Sequence, residues 1–211
     1  MVSRAAQKEE AIPDIENARK YAEKHKKYVS LMYRGILKDI KANNISGSYL
    51  EMGAGPGLLA VIVAQQNPEI NITAIDLSPD MATVAEEYIS KNRLESRIRY
   101  LVGDVSDEKM LQKLGQFNFV YSTFSLHHWK TPEKSLHNLW NAVAENGMLY
   151  IYDFKRIGWL CSLPLKSREI DSMRASYSPS EIKDILGKIG ITDYRIKTSF
   201  PFLFQSVVVQ K

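Results

Sequence analysis

The chain has 211 residues, of which 45% are hydrophobic and 25% charged, and its formal net charge is +4. These values are typical of one globular domain with a sizeable core, and the mild positive charge permits an anionic partner without requiring one. The single cysteine, Cys161, excludes an internal disulfide and a zinc site built from several thiolates. No segment approaches the roughly 18 apolar residues of a membrane span, and no signal peptide is recognisable, so we expect a cytoplasmic location.

The N-terminal part of the chain is polar at first and then helical in pattern. We expect residues 1 to about 12 to be mobile. From Asp14 to Ile40 the apolar spacing predicts helical structure, with Pro13 in the first turn. We interpret the many basic residues of this stretch as a solvated helix face rather than a nucleic-acid patch. Its tyrosines Tyr21 and Tyr28 are either core residues or part of a lid that closes over a ligand.

The most informative stretch is Glu51-Met52-Gly53-Ala54-Gly55-Pro56-Gly57, in which glycines occupy every second position after an acid. An apolar helical pattern begins directly after it, at Leu58. Glycine can adopt positive φ and lets a ligand approach the backbone, and a turn that opens a helix presents free N–H groups. The stretch therefore predicts either an adenosine- or nucleotide-binding turn or a tight turn without a ligand. The residues that follow decide between the two.

After the glycine turn, apolar strand patterns alternate with helical patterns. The predicted strands are residues 70–76, 97–102, 117–121 and 148–152. Ser78-Pro79 and Thr131-Pro132 begin two of the helices, and Asn146-Gly147 is predicted to turn the chain into the last of these strands. This alternation predicts a parallel sheet of right-handed βαβ units. Ligands of such sheets bind beyond the carboxyl ends of the strands.

The last quarter of the chain departs from this alternation. Residues 157–177 contain large apolar residues with few strand signals. Ser178-Pro179-Ser180-Glu181 predicts a helix that begins with a capping box. Two strands near residues 192–198 and 203–210 have no helix between them, so we predict an antiparallel pair at one edge of the sheet.

Acidic residues recur where the predicted strands end. Asp76 follows the last glycine of the turn by 76 − 57 = 19 residues, close to the roughly 20 at which an acid binds a ribose. A carboxylate suits this role because it can accept hydrogen bonds from two neighbouring hydroxyls. One strand later, Asp104 follows Gly103, where a side-chain oxygen can accept a bond from an adenine amino group. The dinucleotide-binding fold does not predict Asp104, and its usual motif leaves two residues, not one, before the last glycine.

With these residues the chain resembles the class I S-adenosylmethionine-dependent methyltransferases. The resemblance rests on the glycine turn, Ile75-Asp76-Leu77-Ser78, Gly103-Asp104-Val105, the loop Ser125-Leu126-His127-His128-Trp129 and the final strand pair. It covers residues 45 to 155 well, and within the superfamily the chain looks like the small-molecule methyltransferases related to the quinone-methylating group.

The resemblance implies an α/β fold with a doubly wound, Rossmann-like, seven-stranded sheet. This sheet is mostly parallel with an antiparallel last strand, and helices cover both of its faces. The implied organisation is an N-terminal helical lid over residues 1–44 and a methyltransferase domain over residues 45–211. Residues 157–177 form a substrate-side insertion in that domain.

The resemblance also implies S-adenosylmethionine as the cofactor, with S-adenosylhomocysteine as its product. Glu51 and the backbone of Gly53, Ala54, Gly55 and Gly57 would hold the methionine end. Asp76 would bind the ribose. Leu77 and Met81 would lie against the adenine, Asp104 and Val105 would meet its edge, and Gly103 would also belong to the cofactor site. Ser122 would touch the cofactor near its methyl group, and Tyr21 and Tyr28 would belong to the lid.

Transfer of a sulfonium methyl group is an in-line displacement, so the protein mainly has to align the reacting atoms. Where the nucleophile carries a proton, a base assists. His127 and His128 are the best candidates because histidine titrates near neutral pH. His128 is preferred, since related sequences often keep a histidine beside that aromatic position. Asp153 is a second candidate base, and the equal alternative is that the histidines brace the loop or line the pocket.

The predicted acceptor is a small molecule, whose nucleophilic atom the sequence does not name, and no metal site is predicted. Three alternatives stay open. The basic N-terminal helix suggests an RNA methyltransferase, although nucleic acid is disfavoured as a partner. A nicotinamide-dependent oxidoreductase is disfavoured by the glycine spacing and the final strand pair. The third alternative is a non-catalytic cofactor-binding domain. The sequence gives no oligomeric state.

Overall fold

The computed structural model of the protein describes residues 4–5, 14–199 and 202–211. Within them the helices are α1 (Ile15–Lys26), α2 (Val29–Met32), α3 (Arg34–Asn43), α4 (Leu58–Gln66), α5 (Pro79–Lys91), α6 (Glu108–Leu114), α7 (Pro132–Asn141), α8 (Gly158–Cys161), α9 (Arg168–Ala175) and α10 (Pro179–Lys188). The strands are β1 (Ser48–Met52), β2 (Asn71–Asp76), β3 (Ile98–Val102), β4 (Phe117–Thr123), β5 (Val143–Phe154), β6 (Arg195–Ser199) and β7 (Phe204–Gln210). A 3-10 turn spans Leu126–His128.

The seven described strands form one sheet in the order β3-β2-β1-β4-β5-β7-β6. Strands β1 to β5 pair in parallel, whereas β7 runs antiparallel to both β5 and β6. The predicted seven-stranded, mostly parallel sheet is confirmed. All carboxyl ends of β1 to β5 lie at one edge, called here the carboxyl edge. Because Phe204 pairs with Phe154, β7 begins at this same edge.

Each face of the sheet carries an apolar core, because side chains alternate between the two faces along a strand. Tyr49 and Phe119 pack on one face with Ile36 and Ile40 of α3. Leu50 and Val120, one residue further along their strands, pack on the other face in a core that includes residues of α7 and α10. Helices therefore cover both faces, as predicted. No helix in the described ranges is both long and apolar enough to cross a membrane.

The predicted helical stretch from Asp14 to Ile40 is divided into three helices. Tyr33, between α2 and α3, has φ −96° and ψ 4°, which is outside helical geometry. The reason for the division is that the two ends bury apolar residues against different partners. Helix α1 packs Ala18 and Ala22 on α5, whereas α3 packs Ile36 against the sheet core. Pro13 and most of the N-terminal residues expected to be mobile lie outside the described residues.

Two predicted helix starts are confirmed by their caps. The Ser78 hydroxyl accepts from the N–H of Met81 at 3.2 Å, with Pro79 as the first residue of α5. Ser178 and Glu181 form a reciprocal capping box at the start of α10. Both caps satisfy N–H groups that a helix leaves without an intrahelical partner.

The predicted turn at Asn146-Gly147 is wrong. Both residues lie inside β5, which is 12 residues long. Asn146 has φ 62°, and the register between β4 and β5 shifts from the pair Phe117–Val143 to the pair Phe119–Met148. The extra residues form a bulge, which uses the same residue types as a turn because it too needs unusual backbone angles.

Candidate active site

The glycine turn is fixed to the neighbouring strand through its backbone. The N–H groups of Gly53 and Ala54 both donate to the carbonyl of Ile75, at 2.8 and 3.0 Å. Gly53 has φ 74°, and a Cβ at this position would lie 2.2 Å from the Ser125 hydroxyl. Neither the backbone angle nor the space accepts a side chain there. The turn therefore brings β1, β2 and the loop after β4 into contact at the carboxyl edge.

Asp76 ties the end of β2 to this turn. One carboxylate oxygen accepts from the N–H of Gly55 at 2.8 Å, and the other accepts from the N–H of Ser78 at 3.0 Å. Burial raises the pKa of Asp76, while these backbone donors counteract the rise. Each oxygen retains a second lone pair. The partly buried carboxylate can thus accept further hydrogen bonds from a ligand.

Glu51 is a buried acid, 1% exposed, at the end of β1. The Tyr121 hydroxyl donates to its Oε2 at 2.9 Å. Burial raises the pKa of Glu51 to about 8; the bond from Tyr121 lowers it in part, and the charge of Asp76 raises it. A buried carboxyl group with a raised pKa ionises more readily when a cation comes close.

The residues after β2 and β3 lie next to Asp76. The N–H of Gly103 donates to the carbonyl of Asp76 at 2.9 Å, and a Cβ on Gly103 would lie 2.3 Å from the sulfur of Met110. Asp104 is exposed and accepts from the N–H of Ser106 at 2.7 Å. Of the remaining predicted residues, Leu77 is 48% exposed, whereas Met81 and Val105 are buried.

The two N-terminal tyrosines are placed differently. The Tyr21 ring stacks on His25 at 3.7 Å between centroids, and the Arg168 guanidinium lies 5.3 Å from its centre. Burial raises the pKa of Tyr21; Arg168 lowers it, and the charge of Asp76 raises it. Tyr21 therefore lies within electrostatic range of the Asp76 site. The Tyr28 side chain is 55% exposed, and its described hydrogen bonds come from its backbone alone.

The 3-10 turn after β4 places His127 against Asp153 at the end of β5. The His127 Nδ1 lies 2.7 Å from one Asp153 oxygen, and the His127 backbone N–H donates to the other at 3.0 Å. Both side chains are almost fully buried. The His127 Nε2 is also buried and has no hydrogen-bond partner among the described residues. This imidazole is held at one nitrogen and unsatisfied at the other.

His128 and Ser122 complete this part of the edge. The His128 ring lies 4.1 Å from that of His127, and burial lowers the pKa of His128 to about 4, with the neighbouring His127 acting in the same direction. Ser122 is 1% exposed, and its hydroxyl has no partner within the described part of the chain. The described residues contain no group of three metal-ligating side chains.

Sequence reasoning missed several residues that build this site. The Tyr33 ring lies 5.9 Å from that of Phe124; burial raises the pKa of Tyr33, as do Tyr21 and Glu51. The Tyr100 hydroxyl donates to the carbonyl of Gly55. Arg4 donates to the carbonyl of His127 at 3.1 Å. No local motif marks these residues, because each reaches the site from a distant part of the chain.

The central part of the chain matches a known family, and so do individual proteins. Residues 50–149 match the family model of a methyltransferase domain. The mitochondrial ubiquinone biosynthesis O-methyltransferase of Saccharomyces cerevisiae is 29% identical over 120 residues, which are 55% of this chain and 37% of that protein. The chain spans 26%, 24% and 38% of the length of the first three curated relatives that it matches.

Two solved structures share the fold over most of the chain. A Methanococcus maripaludis protein described as an S-adenosylmethionine-dependent methyltransferase has a TM-score of 0.74 at 20% identity, over 98% of this chain and 97% of that one. PigF with SAH, S-adenosylhomocysteine, has a TM-score of 0.75 at 17% identity, over 94% of this chain and 60% of that one. At these identities the likeness concerns the fold alone.

Proposed function

We propose that the protein methylates a hydroxyl oxygen of a small molecule, with His127 as the base, starting from the match of residues 50–149 to the model of a methyltransferase domain. The observation that carries the proposal is the buried imidazole of His127, fixed by Asp153 at Nδ1 and without a partner at Nε2. The resemblance to class I S-adenosylmethionine-dependent methyltransferases is confirmed by the family match. That match also favours methyl transfer over the oxidoreductase and non-catalytic alternatives.

The cofactor half of the site fits S-adenosylmethionine. Glu51 and Asp76 are acids at the ends of adjacent strands, and the cofactor carries cationic sulfonium and ammonium groups. The free lone pairs of Asp76 suit the two ribose hydroxyls, and a Cβ on Gly55 would meet nothing within 4 Å, so the backbone there is open to a ligand. The unsatisfied Ser122 hydroxyl suits a polar contact near the reacting group. When bound, S-adenosylmethionine supplies a methyl group activated by its sulfonium charge.

In this proposal the base accepts the hydroxyl proton of the acceptor at the His127 Nε2. A neutral imidazole that donates from Nδ1 presents its other nitrogen as an acceptor. Asp153 holds this tautomer and stabilises the imidazolium that forms, because its carboxylate lies 2.7 Å from Nδ1. A buried polar nitrogen without a partner destabilises the folded state, so its retention suits a site that a ligand completes.

His128 and Asp153 are less suited to act as the base, although the sequence analysis preferred His128. A pKa of about 4 makes His128 a weak proton acceptor. The oxygens of Asp153 already accept from the ring and the backbone of His127, and one of them also accepts from the N–H of Phe154 at 2.7 Å. We therefore assign Asp153 a positioning role and His128 a place in the pocket wall.

An aromatic cluster adjoins the His127–Asp153 pair, because the Phe154 ring lies 5.9 Å from that of His127, and it favours an acceptor with apolar surface. Phe124 has φ 51°, an uncommon angle for a bulky residue, and strained residues of this kind cluster at functional sites. Its ring lies 5.2 to 5.9 Å from the rings of Tyr33, Tyr152, Phe154 and Phe204. These rings exclude water, which protects the base and orients a flat acceptor.

Transfer of a labelled methyl group tests the proposal. The protein is incubated with methyl-labelled S-adenosylmethionine and a panel of small phenols, hydroquinones, amines and thiols. We expect label in hydroxyl acceptors. His127→Gln should lower kcat by roughly 10²- to 10⁴-fold, with little change in the dissociation constant of the cofactor.

His137→Gln is the matched control, because His137 is exposed on α7. Its kcat should equal that of the wild type. Label found only in amines or thiols would contradict the assignment of a hydroxyl acceptor. Equal kcat values for His127→Gln and wild type would contradict the assignment of the base.

A further inference from the structure

Large apolar side chains are exposed at one edge of the molecule. Among the described residues, those with substantial exposure are Tyr28 55%, Leu31 71%, Leu77 48%, Val102 51%, Trp159 70%, Leu163 39%, Leu165 44% and Phe202 63%. Leu77 and Val102 follow or end the strands of the proposed cofactor site. The part of the carboxyl edge around Phe124, His127 and Asp153 is called here the acceptor half. The other six exposed residues belong to three further segments, and the proposed function does not use them.

The topology places two of these three segments together. The segment with Trp159 follows the carboxyl end of β5, and Phe202 precedes the start of β7 at the same edge. The N–H of Lys155 donates to the carbonyl of Leu203 at 2.7 Å, which joins the two segments where they leave the sheet. The third segment, α2, ends beside Tyr33, whose ring packs near Phe124 at this edge.

The segment from Trp159 to Leu165 is held in shape by hydrogen bonds. Arg174 of α9 donates to the carbonyl of Cys161 at 3.1 Å and to that of Leu163 at 2.8 Å. Cys161 is buried, whereas residues 162–169 are all exposed. The protein thus presents Trp159, Leu163 and Leu165 outward from a fixed backbone. Clustered exposed apolar residues of this kind mark interaction sites.

Positive charge accompanies these apolar residues. Residues 155–168 contain Lys155, Arg156, Lys166 and Arg168 and no acid. Residues 15–34, which form α1, α2 and the start of α3, contain six lysines and arginines against two acids. These two segments carry more positive charge than the whole chain, whose net charge is +4, so the rest of the chain is net negative. Part of this charge is neutralised locally, because Lys24 pairs with Glu169 at 3.3 Å and Arg156 pairs with Glu181 at 2.5 Å. Lys155, Lys166 and Arg168 flank the exposed apolar residues in the chain.

We propose that this surface, formed by α1, α2, the start of α3, residues 155–168 and Phe202, docks on an anionic lipid bilayer. Trp159, Leu163 and Leu165 enter the interface between headgroups and acyl chains, where an amphipathic tryptophan ring is favoured. The basic residues neutralise lipid phosphates and carboxylates. Docking turns the acceptor side of the site toward the bilayer, so a lipophilic acceptor can enter from it. This last consequence, unlike the docking, rests on the proposed function.

Leu163 and Leu165 favour a bilayer over RNA as the occupant. RNA would match the positive charge, but single-stranded nucleic acid is bound by aromatic stacking and phosphate contacts, in which aliphatic side chains take little part. A bilayer interface uses both the aliphatic and the basic residues. The formal charge also opposes pairing of this basic surface with a second copy of itself.

Vesicle sedimentation with the full chain tests the docking. The vesicles consist of phosphatidylcholine alone or with roughly 30% phosphatidylserine, which gives the membrane a negative surface potential. We expect binding to the anionic vesicles, weak binding to neutral ones, and a marked loss at high salt. Trp159 fluorescence should shift to the blue on binding, and the Trp159→Ser/Leu163→Ser variant should bind at least roughly tenfold more weakly.

A charge-matched pair of variants isolates the electrostatic contribution. Lys27→Gln/Lys166→Gln removes two charges from the proposed surface and should weaken binding by roughly tenfold or more. Lys91→Gln/Lys113→Gln removes two exposed charges near the ends of α5 and α6, whose chains there lead to the opposite edge of the sheet. This second variant should bind as the wild type does.

Equal vesicle binding by the two charge variants, or no binding to anionic vesicles, would overturn the proposal. The proposal would also be overturned if Trp159→Ser/Leu163→Ser lost self-association or RNA binding while its vesicle binding stayed unchanged. Calorimetric titration with S-adenosylmethionine, performed on every variant, shows that the site itself is intact. Vesicle binding without methyl transfer would refute the proposed function and leave the docking surface standing.

Discussion

The two halves of the carboxyl edge are built by different means. In the cofactor half, backbone N–H groups of the glycine turn bond to the Ile75 carbonyl and to Asp76. These contacts join short loops that directly follow buried strands. The acceptor half is held together by side-chain contacts. His127 bonds to Asp153, and Phe124 packs among aromatic rings. Arg4 and Tyr33, from the N-terminal part of the chain, also contact residues of this half.

This difference predicts that substitutions in the two halves change different quantities. A backbone cradle is supported by the strands behind it, so substitutions there should change cofactor affinity. Side-chain pairs such as His127–Asp153 have no part in that cradle, so their loss should change the chemical step and leave cofactor affinity intact. Residues such as Tyr21, whose pKa responds to both Asp76 and Arg168, lie between the halves.

The largest effect on kcat, with cofactor affinity unchanged, is expected at the His127–Asp153 pair. Asp153→Asn should lower kcat by roughly 10²- to 10³-fold, because the amide neither fixes the tautomer nor stabilises the imidazolium. The double variant with His127→Gln should lose little more than His127→Gln alone, since the two residues act as a unit. Single-turnover methyl transfer measures both. Additive losses would mean that the residues act independently, and thermal unfolding checks that the buried substitution leaves the fold intact.

In the cofactor half, Asp76→Ala should weaken S-adenosylmethionine binding by roughly 100-fold. The variant loses the acceptor for the N–H groups of Gly55 and Ser78 as well as the bonds to the ribose, each worth about 1–3 kcal/mol for a charged acceptor. Asp184→Ala, on the exposed side of α10, is the control and should bind as the wild type does. A change of less than threefold in Asp76→Ala would remove this residue from the site.

Glu51 adds a pH dependence from the cofactor half. Its folded-state pKa of about 8 lies above its ordinary 4.5, so the native state keeps a proton that the unfolded state releases. The contribution of Glu51 to the free energy of unfolding should therefore fall as the pH rises from about 4.5 to about 8, by up to a few kcal/mol. His128, with a pKa of about 4, contributes in the opposite direction below pH 6.5. Denaturant unfolding of the wild type and of Glu51→Gln over this range isolates the contribution of Glu51 as the difference between the two slopes.

Cofactor binding should also release a proton from Glu51 near pH 7, because a bound ammonium group favours the carboxylate. Titrations in buffers with different ionisation enthalpies detect this release. A binding enthalpy that is the same in all buffers would show that Glu51 does not ionise on binding.

The smallest expected effects are on stability, and they differ in sign between two glycines. Gly53→Ala should lower stability by about 1–3 kcal/mol, since φ 74° and the Ser125 hydroxyl both oppose a side chain. Gly187→Ala in α10 should raise it by about 0.5–1 kcal/mol, because a Cβ there meets nothing within 4 Å and alanine favours helix. Thermal unfolding compares the two. A stable Gly53→Ala that still binds the cofactor would show that the turn adapts.

The sequence predicted the sheet well because its signals are local, and the residues predicted for the cofactor site are marked by equally local signals. The glycine turn, the spacing to Asp76 and the Ser78 cap can each be recognised in a few consecutive residues. The prediction of a turn at Asn146-Gly147 was wrong because bulges and turns use the same residue types. The choice between His127 and His128 depends on how the 3-10 turn rotates adjacent side chains, and on the distance to Asp153. Tyr33 and Arg4 reach the acceptor half through tertiary packing, which no local pattern encodes.

Calorimetry tests whether this carboxyl edge binds S-adenosylmethionine. The purified protein is titrated in turn with S-adenosylmethionine, S-adenosylhomocysteine and NAD. We predict that the first two bind and that NAD does not. Binding of NAD instead, or binding of none of the three to well-folded protein, would contradict the account.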